Sequence, residues 1–328
     1  MKLGKVFVPE EIAASGLRML KARCDCIAPW EVSQGISEPL SDTQMKEFLY
    51  ESEAVVIRLF SVTADDLKRA TRLKVIAKHG VGVDSIDCQA ATTHGIPVTY
   101  TPTAVGNGVA EHVLALMLGL ARRIVSADTS TRDGSFDRSG LRGVELAGKT
   151  LGILGLGRIG CRVAEKASRG LEMEVLAYDP LVSPDQYDGP AVIEDSVESV
   201  LRKADYLTLH IPLTAQTRHL INSQRLALMK SSARIINTSR GAVIDEAALA
   251  EALGEGTIAG AALDVFEREP LPEDHPLCQA PNTLLTPHIA GATVETLDLM
   301  SREAALAILD VLAGRRPEYV VNPEIYGA

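Results

Sequence analysis

The chain has 328 residues, 33 Lys and Arg against 43 Asp and Glu, and a formal net charge of −10. Its length points to about two domains, and its acidity excludes nucleic acid as a main partner, because phosphate binding needs a basic footprint. With 46% apolar but only 4% aromatic residues, the cores are expected to be built from Val, Ile, Leu and Ala, as in α/β layers.

The first residues, "MKLGKVFVPEE", hold too short an apolar run for a signal peptide and soon meet Pro9, Glu10 and Glu11. Residues 5–8, 54–58 and 73–80 read as strands. Between them Thr63 stands three residues before Asp66, a helix-starting capping box. "SIDCQAATTHG" reads as a helix stopped by Gly95. A long helix is expected over 104–124. Its apolar stretch "VLALMLGLA" is half a membrane span and is flanked by charged residues, so no membrane partner is expected. The polar, glycine-rich run from Asp133 to Lys149 reads as an exposed loop or as a segment reaching a partner subunit.

From residue 150 the pattern grows regular. Strands are predicted at 150–155, 174–179, 206–210, 234–239, 258–264 and 282–288, with helices at 159–169, 196–204, 223–230 and 245–253. Such alternation indicates βαβ units and parallel sheets with both faces covered. A last helix over 294–313 has Thr293 as N-cap and Gly314 as its stop. The fold class is therefore α/β, with two Rossmann-like doubly wound domains. A cofactor domain, 104–290, is inserted into a discontinuous substrate-binding domain, 1–103 plus 291–328. The five cysteines, Cys24, Cys26, Cys88, Cys161 and Cys278, are scattered without a C-x-x-C pair. They read as reduced thiols of a cytoplasmic protein, and no metal is expected.

"TLGILGLGRIG" carries Gly155-x-Gly157-x-x-Gly160 between a strand and a helix. Gly155 allows the tight turn, Gly157 lets the backbone approach a pyrophosphate, and Gly160 lets helix and strand pack closely. The helix N-terminus offers N–H groups and a partial positive charge to the phosphates, and Arg158 stands inside the loop. Asp179 ends the next strand, where a carboxylate accepts hydrogen bonds from the adenosine ribose and repels a 2′-phosphate. NAD is therefore the expected cofactor. Arg240, Glu269 and His288 follow three other strands, at the sheet edge where ligands bind in open α/β folds.

With "GLGRIG", "LHIPLTAQTRHLI", "INTSRGAVIDEAALAEAL" and "TPHIAGAT", the chain resembles the D-isomer-specific 2-hydroxyacid dehydrogenases, the family of phosphoglycerate dehydrogenase, D-lactate dehydrogenase and hydroxypyruvate reductase. The resemblance implies hydride transfer between a nicotinamide cofactor and a small 2-hydroxy or 2-keto acid. Arg240 would bind the substrate carboxylate, His288 would be the general acid/base, and Glu269 would pair with it. Asp264 would lie near the nicotinamide with its carboxylate available to the carboxamide. Ile159, His210 and Thr238 would also touch the cofactor, and the backbone at Val81 and Gly82 would complete the carboxylate cradle. It further implies two lobes and a homodimer formed largely through the cofactor domain.

The stretch "VIRLFSVTADDL" is similar to the phosphoglycerate dehydrogenase loop that meets a substrate phosphate. Arg58 is present, but Ser61 replaces the lysine usual before "VTAD". His79, beside the carboxylate loop, is a candidate specificity residue. The corepressor relatives that use this fold as an NADH-sensing binding module form the alternative reading.

Overall fold

The computed structural model describes residues 2–32, 40–136 and 138–327. The chain begins with β1 (Lys5–Phe7), α1 (Ala14–Arg23), β2 (Asp25–Ile27), a single turn α2 (Pro29–Val32), α3 (Asp42–Glu51), β3 (Ala54–Ile57), α4 (Ala64–Arg69), β4 (Val75–Lys78), α5 (Cys88–Thr93) and β5 (Val98–Thr99). It continues through α6 (Gly106–Arg122), α7 (Ile124–Arg132), β6 (Thr150–Leu154), α8 (Arg158–Leu171), β7 (Glu174–Tyr178), β8 (Val192–Ile193), α9 (Val197–Lys203) and β9 (Tyr206–Leu209). Then come α10 (Ser223–Leu226), β10 (Arg234–Asn237), α11 (Glu246–Glu255), β11 (Gly260–Leu263), β12 (Thr283–Leu285) and α12 (Val294–Leu312). Two compact units result, Met1–Val105 with Ala292–Ala328, and Gly106–Gly291.

The first unit is a five-stranded sheet in the order β2-β1-β3-β4-β5, all pairs parallel. Because side chains alternate across a strand, Val6, Val56 and Ala77 pack with Leu20 of α1 and Ile308 of α12. Phe7, Val55 and Ile76 face the other way, onto Leu49 of α3 and Leu67 of α4. Thr63 and Asp66 form the reciprocal capping box at the start of α4, and Thr293 caps α12 by accepting from the Thr296 N–H.

The second unit is a seven-stranded sheet in the order β12-β11-β10-β9-β6-β7-β8, again parallel. Leu207, Ile235 and Leu263 pack under α9 and α11 through Val200, Leu201 and Leu249. Tyr206, Ile236 and Ala262 face α6 and α8 through Val113, Met117 and Val163. Burial on both faces explains why these strands are almost wholly apolar. The strand order reverses at β6, between β7 and β9, which opens a crevice outside the carboxyl ends of β6 and β9.

The predicted strands overrun by one to three residues. Asp179, His210, Asp264 and His288 lie past the strand ends, in turns. The short strands β2, β5 and β8 lie at sheet edges and were not among the predicted strands.

Candidate active site

The turn after β6 is shaped by contacts that exclude side chains. Gly155 sits at φ +94°, and a Cβ there would lie 2.5 Å from the His210 carbonyl oxygen, across the crevice where the strand order reverses. A Cβ on Gly160 would lie 2.1 Å from the Gly155 carbonyl oxygen, so α8 and β6 can meet only at glycine. Gly157 is the N-cap of α8 without a side-chain cap, and the space beyond it is open. The first turn of α8, at Arg158 and Ile159, thus begins without a side-chain cap, and a helix N-terminus favours an anion.

Asp179 follows β7, with one carboxylate oxygen 2.8 Å from the Leu156 N–H and the other 2.9 Å from that of Leu181. These bonds fix the carboxylate beside the glycine loop. Thr238 carries a buried hydroxyl that has no hydrogen-bond partner among the described residues. His210 pairs its Nε2 with the Thr208 hydroxyl at 3.0 Å; burial pushes it down to about 3 and keeps it neutral. An open helix N-terminus, a positioned carboxylate and an orphaned hydroxyl fit a dinucleotide.

Arg240 closes the turn after β10, which the buried Asn237 braces. The Asn237 amide donates to the Arg240 carbonyl at 2.8 Å and accepts from the Ser239 N–H and hydroxyl at 2.9 and 2.8 Å. The guanidinium donates to the Ser239 carbonyl at 2.6 Å. A Cβ on Gly241 would lie 1.9 Å from the Phe266 carbonyl carbon, so this turn packs directly on the loop that follows β11. That loop carries Glu269. One of its carboxylate oxygens accepts the Phe266 N–H at 3.1 Å, and the other lies 2.8 Å from His288 Nδ1. The carboxylate beside His288 raises the imidazole above its ordinary value, against desolvation, while Arg240 opposes it. Burial would raise the Glu269 carboxyl, but the bonds from His288 and Phe266 outweigh it and lower it.

His288 has φ +54°, a left-handed conformation uncommon for a side-chain-bearing residue and one that the surroundings must hold. Asp264 holds it. The Asp264 carbonyl accepts the His288 N–H at 2.8 Å. Its carboxylate accepts the N–H groups of Ile289 and Ala290 at 2.9 and 2.8 Å and the Thr286 hydroxyl at 2.6 Å. His112 Nε2 lies 3.2 Å from that hydroxyl and 3.5 Å from the carboxylate. The Asp264 side chain is 0% exposed. This corrects the expectation that its carboxylate is available to a carboxamide, since both oxygens are spent on the chain around His288. Burial alone would raise this carboxyl, yet the bonds from His112, Thr286, Ile289 and Ala290 hold it below the usual range.

Sequence reasoning missed Asn237 and His112 as braces of this site. Asn237 lies within the quoted "INTSRG" run and braces residues two and three positions on, whereas the partners of His112, Thr286 and Asp264, are distant in sequence.

The remaining candidates belong to the first unit. Val81 is 42% exposed in the loop after β4, which begins at Gly80 with φ +140°. Arg58 donates from its guanidinium to the Glu11 carbonyl at 3.2 Å, and its own carbonyl accepts from Lys78. His79 is a correction. It is 5% exposed, its Nε2 lies 2.9 Å from the Ser301 hydroxyl, and burial, helped by Arg58, pushes it down to about 4. Ser301 spends its own proton on the Leu297 carbonyl at 2.7 Å, so His79 is the donor in their bond. The imidazole joins the end of β4 to α12 inside the unit, and its Nδ1 is buried without a partner among the described residues.

Comparison with known proteins bears on the whole chain. Residues 114–290 match the family model described as the D-isomer specific 2-hydroxyacid dehydrogenase, NAD binding domain. The chain is 42% identical to a glyoxylate reductase of Thermofilum pendens, covering 98% of this chain and 95% of that one. It is 40% identical to a D-3-phosphoglycerate dehydrogenase of Methanocaldococcus jannaschii over 97% of this chain but only 59% of the relative. A crystal structure of a protein from Thermus thermophilus superimposes with a TM-score of 0.87 at 36% identity, covering 97% of this chain and 99% of that one. The chain belongs to the D-isomer specific 2-hydroxyacid dehydrogenase family, and it is an oxidoreductase that interconverts a 2-hydroxy acid and its 2-keto acid with a nicotinamide dinucleotide as cofactor.

Proposed function

We propose that this chain reduces a small 2-keto acid, glyoxylate foremost, with NADH rather than NADPH, using Arg240, Glu269 and His288. The observation that carries this reading is the His288–Glu269 contact at 2.8 Å, held on a left-handed backbone by Asp264 and set close enough to Arg240 for their charges to oppose. When bound, the dinucleotide supplies the hydride to the carbonyl carbon. Arg240 offers a planar fork to the substrate carboxylate. Glu269 engages Nδ1 of His288, which leaves Nε2 to give its proton to the carbonyl oxygen as negative charge develops there. Glu269 favours the charged imidazole before transfer and fixes its tautomer.

The glycines at 155, 157 and 160, with Arg158 and Ile159, take the phosphates in this reading, and Thr238 and His210 face the nicotinamide half. The preference for NADH rests on Asp179. Its carboxylate repels a 2′-phosphate, and no Lys or Arg stands from 180 to 190 to offset it. The small substrate is supported by Lys78, only 9% exposed and donating to the Arg58 carbonyl, and by Ser61 where a phosphate-binding lysine would stand.

The first unit serves as the substrate-binding domain and the second as the NAD-binding domain. A homodimer is proposed through the second unit, where Ile124, Val125 and Phe136 are 55%, 59% and 69% exposed. A cytoplasmic setting is supported by five unpaired thiols.

The test is NADH consumption with glyoxylate, pyruvate, hydroxypyruvate and phosphohydroxypyruvate, repeated with NADPH, on protein whose mass in solution is measured. Glyoxylate should lead and phosphohydroxypyruvate should trail. A reversed order overturns the substrate class, and equal efficiency with NADPH overturns the role of Asp179.

A further inference from the structure

The loop that carries Glu269 also meets a second pairing of a carboxylate with an imidazole. Glu246 is the first residue of α11 and is 5% exposed. Its Oε1 accepts the Glu267 N–H at 2.7 Å, and its Oε2 lies 3.3 Å from His275 Nε2. His275 Nδ1 accepts the Leu277 N–H at 3.3 Å, so the ring proton sits on Nε2 and points to Glu246. The Glu267 side chain returns the contact. Its Oε1 lies 3.5 Å from the Glu246 N–H and 3.1 Å from His219 Nε2, and its other oxygen is 3.9 Å from Arg218. The start of α11 and the loop after β11 are thus joined by reciprocal bonds at residue 267. The Phe266 N–H, one residue earlier in the same loop, holds the Glu269 carboxylate.

We infer that Glu246 is a positioning residue for the reaction: by fixing the backbone at residue 267 it sets the Glu269 carboxylate against His288, and His275 holds Glu246 in place. Alternative roles fit poorly. A buried carboxylate that only filled space would be costly, because an uncompensated charge or polar group out of water destabilises the fold. Here each oxygen has one donor, and the one from Glu267 is the backbone of the catalytic loop. Burial raises the Glu246 carboxyl, with Glu267 and Glu269 adding to the rise and the Glu267 N–H and His275 opposing it, so the pair also lies within electrostatic reach of Glu269. The charged groups facing Glu246 are His275, Glu267 and Glu269, with His219 and Arg218 behind Glu267. Those facing His288 are Glu269, Asp264 and Arg240.

The inference concerns the same site as the proposed function and rests on that reading for its catalytic consequence. Its test does not depend on turnover. The His288 imidazole is followed by NMR in histidine-labelled protein and assigned by its loss in His288→Ala. Its midpoint is then measured in the wild type, Glu246→Ala and Glu246→Gln. Gln keeps an oxygen acceptor for the Glu267 N–H, so its midpoint should stay within about 0.2 units of the wild type, whereas Ala should fall by about half a unit or more as Glu269 draws away. Keto-acid turnover should fall about tenfold in Ala and recover in Gln.

Should Glu246→Ala fail to fold, Glu246→Asp serves, because its shorter side chain cannot reach residue 267. A folded Ala or Asp variant with an unchanged His288 midpoint overturns the inference, and so does a Gln variant that falls as far as Ala. If the midpoint moves while turnover does not, positioning stands and the catalytic reading of His288 is what fails.

Discussion

Two turns at the carboxyl edge of the seven-stranded sheet carry the chemistry, and they reach similar backbone conformations by opposite means. After β6, the positive φ of +94° belongs to Gly155, which adopts it without steric cost. After β12, the φ of +54° belongs to His288, which must be held there. Asp264 does so with its carbonyl on the His288 N–H and its carboxylate on the next two N–H groups. The first turn is specified by what is absent, since a Cβ at Gly155 or Gly160 would strike backbone. The second is specified by a buried acid supplied by a neighbouring strand. A turn that must present a functional side chain cannot use glycine, so its geometry has to be enforced from outside.

The largest effect should come from removing what the second turn exists to present. His288→Ala should lower keto-acid reduction by about 10²–10⁴-fold while NADH binding, followed by fluorescence quenching, stays near wild type; normal turnover would remove His288 from the mechanism. In the first turn, Gly160→Ala should do the reverse. Its Cβ would meet backbone oxygen at 2.1 Å, so cofactor affinity should fall by about tenfold or more and stability by roughly 1–3 kcal/mol. Binding and melting unchanged from wild type would show that the turn is not fixed by sterics.

Asp264→Asn sharpens the contrast further. An amide can satisfy only part of the donor set, leaving at least one buried N–H short of an acceptor at a cost of about 1–3 kcal/mol. In the wild type the Asp264 carboxyl is held below its ordinary value. Its contribution is therefore fully present above about pH 4 and lost as pH falls through the lowered folded value. Acid unfolding of the Asn variant should lack that component, and superimposable acid transitions would refute the clamp.

The smallest shift is expected on the alkaline side. Reduction needs protonated His288, whose pKa the neighbouring Glu269 raises, so the rate should fall as pH rises through that elevated value. Glu269→Gln should move this limb to lower pH by about one unit. A limb that does not move would mean that Glu269 does not set the proton donor.

Much of this molecule was legible in one dimension. Alternating apolar runs and helical stretches determined the α/β class, because burying both faces of a parallel sheet leaves a signature within each strand. The Gly155–Gly160 spacing determined the first turn, because the positive φ of Gly155 and the contact of Gly160 with the Gly155 carbonyl are local properties. The capping pair Thr63 and Asp66 was legible for the same reason.

The brief edge strands β2, β5 and β8 were not. Nor were the environments of His79 and Asp264, both read in the sequence as facing ligands. His79 turned inward because Ser301 of α12 packs over β4, and Asp264 was enclosed by the chain around His288. The sequence by itself determined which residues stand at the sheet edge. Only the tertiary structure decided which of them are spent on holding the others, because a hydrogen bond between strands some twenty residues apart depends on how the chain returns and leaves no mark in local spacing.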